Sequence, residues 1–307
     1  MDSWSIYDNV KLGIVSFKAF PGARTGEGNI VASMRKLVED DFWTAVEVGP
    51  IKDVKERHEV RKLLEGSHMY VAYATQPKVF ANKLNLNSLE TRERGTAVSS
   101  IKSSVEEAFH LGAEVVRLVS GKDPGEEKRE DAKQALADSL AEVMDYASGL
   151  GRMRFTLKIF DRDIDKKALI GHFSDAADVA EVLCPKYANF GLLSDMSHFP
   201  LLNEDPKQAL EQVKRYPLDF HIGNCVMRDR LHPAYGDLQP RFGIPGGEQD
   251  TEELRAYFQL LKDMELIGPA KKPFCSAEVR PLLAEEYSEL IIANAKRTIK
   301  EAWAGVR

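Results

Sequence analysis

Side chains that can bind a substrate or take part in catalysis are densest between Asp219 and Gly247, in the segment DFHIGNCVMRDRLHPAYGDLQPRFGIPGG. A short apolar run there contains His221 and continues into a polar loop rich in proline and glycine. The loop contributes Arg228, His232 and Arg241, which are suited to holding the oxygens of a small substrate. Long loops without secondary structure are usually functional or disordered, and the aromatic residues and prolines argue against disorder. We therefore predict a substrate-binding loop, with a solvated surface loop as the alternative.

Further polar residues lie at the ends of other short apolar runs. These candidates are Glu47 in the second run, Lys158 in the fifth, Asp195 and His198 after the sixth, and Glu278 in the eighth. A carboxylate, an imidazole and a carboxylate from three successive runs suit Mn²⁺, Mg²⁺ or Zn²⁺. Asp195, His221 and Glu278 are the predicted metal ligands.

Each predicted ligand also has a structural interpretation. Asp195 can cap the turn that follows it, Glu278 can pair with Arg280, and His221 can be a hydrogen-bonded core histidine. Several charged groups facing one interior are costly unless they bind something. The three together therefore favour a functional site.

The elements that must position these residues alternate between two patterns. Short runs rich in β-branched and aromatic residues cover Lys11–Phe17, Trp43–Val48, Met69–Ala74, Glu114–Val119, Phe155–Phe160, Ala188–Leu193, Leu218–Ile222 and Pro273–Val279. The clearest segments with helical spacing are Ser99–Leu111, Glu130–Ser148, Asp175–Leu183, Pro206–Arg215, Thr251–Met264 and Leu283–Ala304.

Eight such alternations predict an α/β protein with one (β/α)8 TIM barrel domain over residues 1–307. A doubly wound sheet is the alternative, but the turn FKAFPGARTGEG after the first run lacks the GxGxxG spacing of that fold. In a barrel of this kind, catalytic residues lie at the C-terminal ends of the strands, where the candidates above fall.

Composition excludes some partners. The net charge of −6 provides no basic surface for nucleic acid. The chain has three cysteines, an odd number, and none of them are spaced as a metal-binding pair. Free, reduced thiols are therefore expected instead of a disulfide framework. The first residues lack a signal-peptide pattern, and no window is apolar over the length of a membrane span. We expect a cytoplasmic protein with no nucleic-acid or membrane partner.

The candidate residues resemble those of the xylose isomerase-like TIM barrels, a superfamily that includes sugar phosphate isomerase/epimerase-type proteins, ketose 3-epimerases and endonuclease IV-type enzymes. The resemblance rests on DMSH at Asp195, HIGN at His221, SAEVRP around Glu278 and the loop HPAYGDLQPRFGIPGGEQD. Family members usually bind one divalent metal through a Glu on strand five, an Asp on strand six, a His on strand seven and a Glu on strand eight. The resemblance thus implies the same three ligands, with Mn²⁺ as the expected ion and Mg²⁺ or Zn²⁺ as alternatives.

The chain departs from this family at strand five, where Lys158 stands in place of the Glu. Three interpretations stay open. The three remaining ligands and water hold the metal, or Asp161 or Asp163 reaches in from the loop, or the Lys158 ammonium replaces the cation. A lysine beside carboxylates can also act as an acid, a base or a nucleophile. A fifth strand whose Lys158 faces the helices is a further alternative.

The resemblance implies isomerisation or epimerisation of a keto- or aldo-sugar through an enediolate. Glu278, Lys158 and His198 are the candidate catalytic residues, and Glu47, Arg228, His232 and Arg241 are the candidate substrate ligands. A lyase that cleaves a 3-oxo-glycoside by β-elimination and a non-catalytic sugar-binding barrel are the alternatives. Apart from the sugar, a second copy of the chain or a small partner subunit is an expected partner.

Overall fold

Eight parallel strands form a closed barrel in a computed structural model that describes residues 5–307. Each strand pairs with its neighbours in sequence, and the last pairs with the first. The strands are β1 (Lys11–Val15), β2 (Ala45–Val48), β3 (Tyr70–Ala74), β4 (Val115–Leu118), β5 (Arg154–Lys158), β6 (Phe190–Asp195), β7 (Leu218–Gly223) and β8 (Phe274–Glu278). The predicted (β/α)8 barrel is confirmed, and Lys158, Asp195 and Glu278 each end a strand.

Helices surround this barrel. Within residues 5–307 they are α1 (Ile6–Asn9), α2 (Ser16–Ala19), α3 (Ile30–Val38), α4 (Val54–Ser67), α5 (Gln76–Ala81), α6 (Thr91–His110), α7 (Arg129–Ser148), α8 (Phe173–Leu183), α9 (His198–Leu202), α10 (Pro206–Val213), α11 (Thr251–Asp263) and α12 (Ser288–Ala304). The longer ones follow the strands in turn, whereas α2, α5 and α9 are short helices directly after β1, β3 and β6. No helix in this part of the chain is long and apolar enough to cross a membrane.

Helix α6 begins at Thr91, ahead of the predicted start at Ser99. The side chain of Glu90 accepts the first free backbone N–H groups and so caps the helix there. The first turns are exposed and polar, so the apolar spacing that predicts a helix is missing from them.

Helix α12 begins later than predicted, at Ser288 instead of Leu283. The carboxylate of Glu286 accepts the backbone N–H groups of Leu282 and Leu283, and this contact holds a turn in place of a helix.

The main apolar core lies between the barrel wall and the helices. Leu140 of α7, Phe155 of β5 and Phe258 of α11 are fully buried in it. Inside the barrel, a separate small cluster that includes Val115 and Phe274 lies near the N-terminal end. Above this cluster the interior positions carry polar and charged side chains, because alternate residues of each strand face inward.

The three cysteines are free, as the sequence predicts. Cys225 and Cys275 are buried, and burial raises the pKa of both thiols, so they pack as small apolar groups.

Candidate active site

Lys158 lies at the centre of a buried cluster at the C-terminal end of the barrel. Its Nζ is 2.5 Å from Glu278 Oε2, 2.9 Å from Asp195 Oδ2 and 3.3 Å from His221 Nδ1. Burial alone would lower the pKa of Lys158, but the Asp195 and Glu278 carboxylates outweigh burial and raise the pKa above its ordinary value. The side chain therefore faces the interior as an ammonium, and in this arrangement it is neither a base nor a nucleophile.

Lys18 of α2 brings a second ammonium to the same carboxylate. Its Nζ is 2.8 Å from Glu278 Oε1, so an ammonium lies against each oxygen of Glu278. Burial would raise the pKa of Glu278, but Lys158 and Lys18 outweigh it and hold the pKa well below its usual range. Glu278 is ionised and pairs with these lysines instead of Arg280.

His221 bridges two carboxylates. Its Nε2 is 2.9 Å from Glu47 Oε2, and its Nδ1 is 2.7 Å from Glu278 Oε2. Burial would lower the pKa of His221, but the Glu47 charge and the contact with Glu278 outweigh it and raise the pKa. An imidazolium that donates from both ring nitrogens fits this geometry.

Asp195 both caps a turn and faces the cluster. Its Oδ1 accepts the backbone N–H of Ser197 at 3.0 Å and the Ser197 hydroxyl at 2.7 Å, while Oδ2 faces Lys158. Beside it, the Nε2 of His198 lies 3.7 Å from Asp195 Oδ2 and 3.6 Å from Asp237 Oδ1. Within the described residues, neither ring nitrogen of His198 has a hydrogen-bond partner.

A second layer of charge supports the cluster from below. Arg117 of β4 donates to Glu47 Oε2 at 3.3 Å, to Thr156 Oγ1 at 2.9 Å and to Asp219. Burial would raise the pKa of Asp219, but Arg117 and Arg154 outweigh it and lower the pKa. Ionised groups thus continue from the cluster down into the middle of the barrel.

The loop after β7 covers the cluster through Gln239. Its Nε2 donates to Asp237 Oδ1 at 2.6 Å and to Ser197 Oγ at 2.8 Å, and it lies 3.5 Å from Asp195 Oδ2. A Cβ at Gly223 would lie 2.3 Å from Gln239 Oε1 and 2.8 Å from the backbone carbonyl oxygen of Glu278, and the backbone contact requires glycine at the end of β7. The buried Oε1 of Gln239 has no partner among residues 5–307, and the backbone φ is +58°.

The two ends of this loop are fastened together by Asn224. Its Oδ1 accepts the backbone N–H groups of Cys225, Glu248 and Gln249, and its Nδ2 donates to the carbonyl of Arg241. One side chain therefore connects the start, middle and end of the segment 224–249.

The cluster is closed to solvent in this conformation. The side chains of Lys158, Asp195, His221 and Glu278 are at most 2% exposed. A cavity of about 540 Å³ lies over β3–β5, and none of these four side chains lines it. Phe80 and Lys166 line this cavity, and they contact Phe160 and Asp237 respectively. A groove of about 570 Å³ between α9, α10 and α11 lies on the outer side, away from the buried charges.

Of the predicted substrate ligands, the structure brings only Glu47 into the cluster. Arg228 is 80% exposed and pairs with Glu248, and Arg241 pairs with Glu286. His232 accepts the backbone N–H of Ala234 and so stabilises its own turn. The folding of the loop onto neighbouring segments, which periodicity does not predict, directs these three side chains elsewhere.

Neither loop carboxylate replaces the missing strand-five Glu. Asp161 is buried and accepts the backbone N–H groups of residues 164–166, so it orders its own loop. Asp163 is exposed.

Sequence reasoning missed Lys18, Arg117 and Gln239. Lys18 comes three residues after the end of β1, and Arg117 interrupts the apolar run EVVRLV. Because a buried charge is costly unless it is paired, an arginine inside an apolar strand indicates a buried ion pair, and this signal could have identified Arg117. Gln239 carries no such signal, because only the fold of the loop places it.

Comparison with known proteins agrees with this architecture. Residues 38–268 match the family model described as xylose isomerase-like TIM barrel. The chain belongs to this family. A comparison of the sequence with curated proteins gave no match.

Solved structures share the barrel of this xylose isomerase-like protein at low sequence identity. A D-tagatose 3-epimerase-like protein is 16% identical with a TM-score of 0.69, covering 95% of this chain and 98% of its own. The IOLI protein with a zinc atom is 17% identical with a TM-score of 0.71, covering 97% and 99%. The 3-keto-D-glucoside 4-epimerase YcjR from E. coli, in its apo form, is 15% identical with a TM-score of 0.66, covering 95% and 99%.

The atom types and spacing of Asp195, His221 and Glu278 suit a divalent metal, since one donor atom of each lies within 4.8 Å of the others. The surroundings of these donors do not fit one. The Lys158 ammonium lies against all three, and both nitrogens of His221 face carboxylates. A metal would require Lys158 to leave and His221 to give up one of its carboxylate contacts.

Proposed function

We propose that the protein is an isomerase or epimerase of keto- or aldo-sugars that works through an enediolate. The observation that carries this proposal is the cluster itself, in which ionised carboxylates face ammonium groups at the C-terminal mouth of the barrel. Catalytic groups of (β/α)8 enzymes lie at this end. Sugar epimerases among the structural relatives add support, although their identity to this chain establishes the fold alone.

The chemistry needs a base, a group that stabilises negative charge and, for epimerisation, a proton donor on the opposite face of the sugar. A carboxylate, with Glu278 as first candidate and Glu47 as second, takes the proton on the carbon next to the carbonyl. The C–H electron pair forms the C=C bond of the enediolate, and the carbonyl oxygen becomes negatively charged. Lys158 and Lys18 neutralise that oxygen electrostatically. A proton delivered to the opposite face by a second acid or by water gives an epimer. Return of the proton to the neighbouring carbon, with the hydroxyl proton passing from one oxygen of the enediolate to the other, gives an isomer.

Substrate access requires the loop after β7 to open, because the reacting groups are buried beneath Gln239. A substrate oxygen then takes the place of one Glu278 oxygen beside an ammonium, which frees Glu278 to act as the base. The cavity over β3–β5 has room for the remainder of the sugar.

The test is exchange of substrate protons with solvent. The protein is incubated in D₂O with a panel of ketoses, aldoses and 3-keto-glycosides, and deuterium at the α-carbon is followed by NMR. We expect exchange with at least one sugar and its loss in Glu278→Gln, which keeps the side-chain shape. Glu301→Gln is the matched control, because it makes the same change at an exposed residue of α12.

Two outcomes lead to other functions. Release of an aglycone from a 3-keto-glycoside, with exchange, would identify a lyase. Sugar binding without exchange would identify a non-catalytic barrel, a candidate that the closed state of the cluster favours.

A further inference from the structure

The two carboxylates of the candidate metal site already face two ammonium groups. Lys158 pairs with both Asp195 and Glu278, and Lys18 pairs with Glu278. Buried charges are stable only when each is paired. Since these two carboxylates are already balanced by two lysines, a divalent ion added to them would leave two positive charges uncompensated in the interior.

The two lysines supply the charge that a divalent ion would bring. They approach Glu278 from different elements, Lys158 from the end of β5 and Lys18 from α2 after β1. Their Nζ atoms lie 2.5 Å from Oε2 and 2.8 Å from Oε1. Together they carry two positive charges, equal to those of Mn²⁺ or Zn²⁺, and each is anchored by a covalent side chain.

Both ring nitrogens of His221 already have partners. A metal-bound histidine coordinates through one nitrogen while the other donates to a carboxylate or carbonyl. Here Glu47 lies 2.9 Å from Nε2, while Glu278 lies 2.7 Å and Lys158 lies 3.3 Å from Nδ1. Neither nitrogen therefore faces a space that an ion could occupy.

We propose that Lys158 and Lys18 together replace the divalent cation of this site, so that the protein works without a bound metal. Their role in neutralising an enediolate rests on the proposed function, but the replacement itself is tested by metal binding, without turnover. The two hypotheses can therefore fail separately.

The first experiment measures the wild-type protein. We expect no stoichiometric metal after growth with added Mn²⁺ and Zn²⁺ followed by dialysis, and no change of melting temperature when either ion is added. One equivalent of retained metal would overturn the proposal and leave the sugar chemistry open. Absence of deuterium exchange with every sugar would overturn the proposed function and leave this inference intact.

The second experiment restores the missing ligand. Lys158→Glu removes the central ammonium and adds an oxygen donor, so we expect Mn²⁺ affinity to rise at least about 100-fold by calorimetry. The matched control is Lys166→Glu, which changes the net charge equally but replaces a lysine that pairs with Asp237 at the covering loop. Equal Mn²⁺ affinity in wild type and Lys158→Glu would refute the proposal.

A folding readout covers the case in which Lys158→Glu is unstable without metal. Binding to the native state raises the melting temperature of a protein. Mn²⁺ should therefore stabilise Lys158→Glu strongly, Lys158→Gln less, and wild type not at all. Stabilisation of wild type to the same extent as the variants would contradict the idea that the lysine holds the place of the ion.

Discussion

The outer face of the barrel wall packs against the helices through apolar side chains, whereas the inner face carries ionised groups above its N-terminal end. Phe155 faces outward into the main core, and its neighbours on β5, Thr156 and Lys158, belong to the charged interior. Apolar contacts tolerate modest changes of shape, but a buried ion loses its compensation as soon as one partner is removed. The outer layer therefore stabilises the fold through apolar burial, whereas the inner layer is stable only while its charges stay paired.

The largest expected effect comes from unpairing the lower charged layer. Arg117→Met leaves Asp219 and Glu47 without their shared buried partner, and we expect the free energy of unfolding to fall by about 3–5 kcal/mol. Urea denaturation measures this loss. Arg154→Met is the matched control, because Arg154 pairs with the same Asp219 but is 39% exposed, so its loss should be below about 1 kcal/mol. Equal losses would mean that burial does not decide the effect.

The outer layer should respond through packing instead. Leu140→Ala creates a cavity in the main core, and we expect a loss of about 2–5 kcal/mol with exchange activity per folded molecule retained. Leu140→Met keeps the volume and should cost less than about 1.5 kcal/mol. Loss of activity in folded Leu140→Ala would show that the two layers are coupled.

The inner layer should also make stability depend on pH. The pKa values of Glu47, Asp219 and Glu278 are lowered in the folded protein, because nearby cations outweigh burial. The unfolded chain then binds more protons in acid than the folded protein does, so the free energy of unfolding should fall as the pH drops below about 4.

His221 has the opposite effect, because its pKa is raised in the folded protein. Its contribution to the free energy of unfolding is full below about pH 6.5 and is lost as the pH rises through the pKa of the folded state. Melting temperatures that stay constant from pH 3 to 6 would contradict ionised pairing.

The smallest effect is expected at the surface. Lys52→Ala removes an exposed pair with Glu27, and we expect a change of less than about 1 kcal/mol that disappears in high salt. A larger fall in the free energy of unfolding, measured by thermal denaturation, would show that exposed ion pairs also stabilise the protein.

The alternation of buried strands and amphipathic helices made the fold predictable from sequence. All eight apolar runs overlap observed strands, since the buried strands of a parallel sheet are rich in apolar, β-branched residues. The predicted helix starts were wrong where hydrogen bonds from a single side chain, and not apolar spacing, determine the boundary. Glu90 starts α6 in a polar stretch, and Glu286 delays α12 by holding a turn.

The candidate site was predictable only where it follows strand ends. Asp195, His221 and Glu278 lie on successive strands, and the closed sheet brings them together. Lys18 joins them because β1 and β8 pair in the same barrel, a neighbourhood that topology creates between distant parts of the chain.

The covering loop was the least predictable part of the site. Its many polar residues predicted substrate ligands, yet Arg228 and Arg241 pair with Glu248 and Glu286. Gln239 faces the cluster instead. Side-chain direction in this segment depends on tertiary contacts that no local pattern encodes.

The fastening of this loop by Asn224 has a kinetic consequence. The Asn224 amide joins the ends of the segment 224–249, and the backbone N–H of Glu248 also donates to the Cys225 carbonyl, so these hydrogen bonds should break together as one cooperative unit. Amide protons of Glu248 and Gln249 should then exchange with solvent at one common opening rate. That rate sets an upper limit on how often the buried ion pairs can meet a sugar.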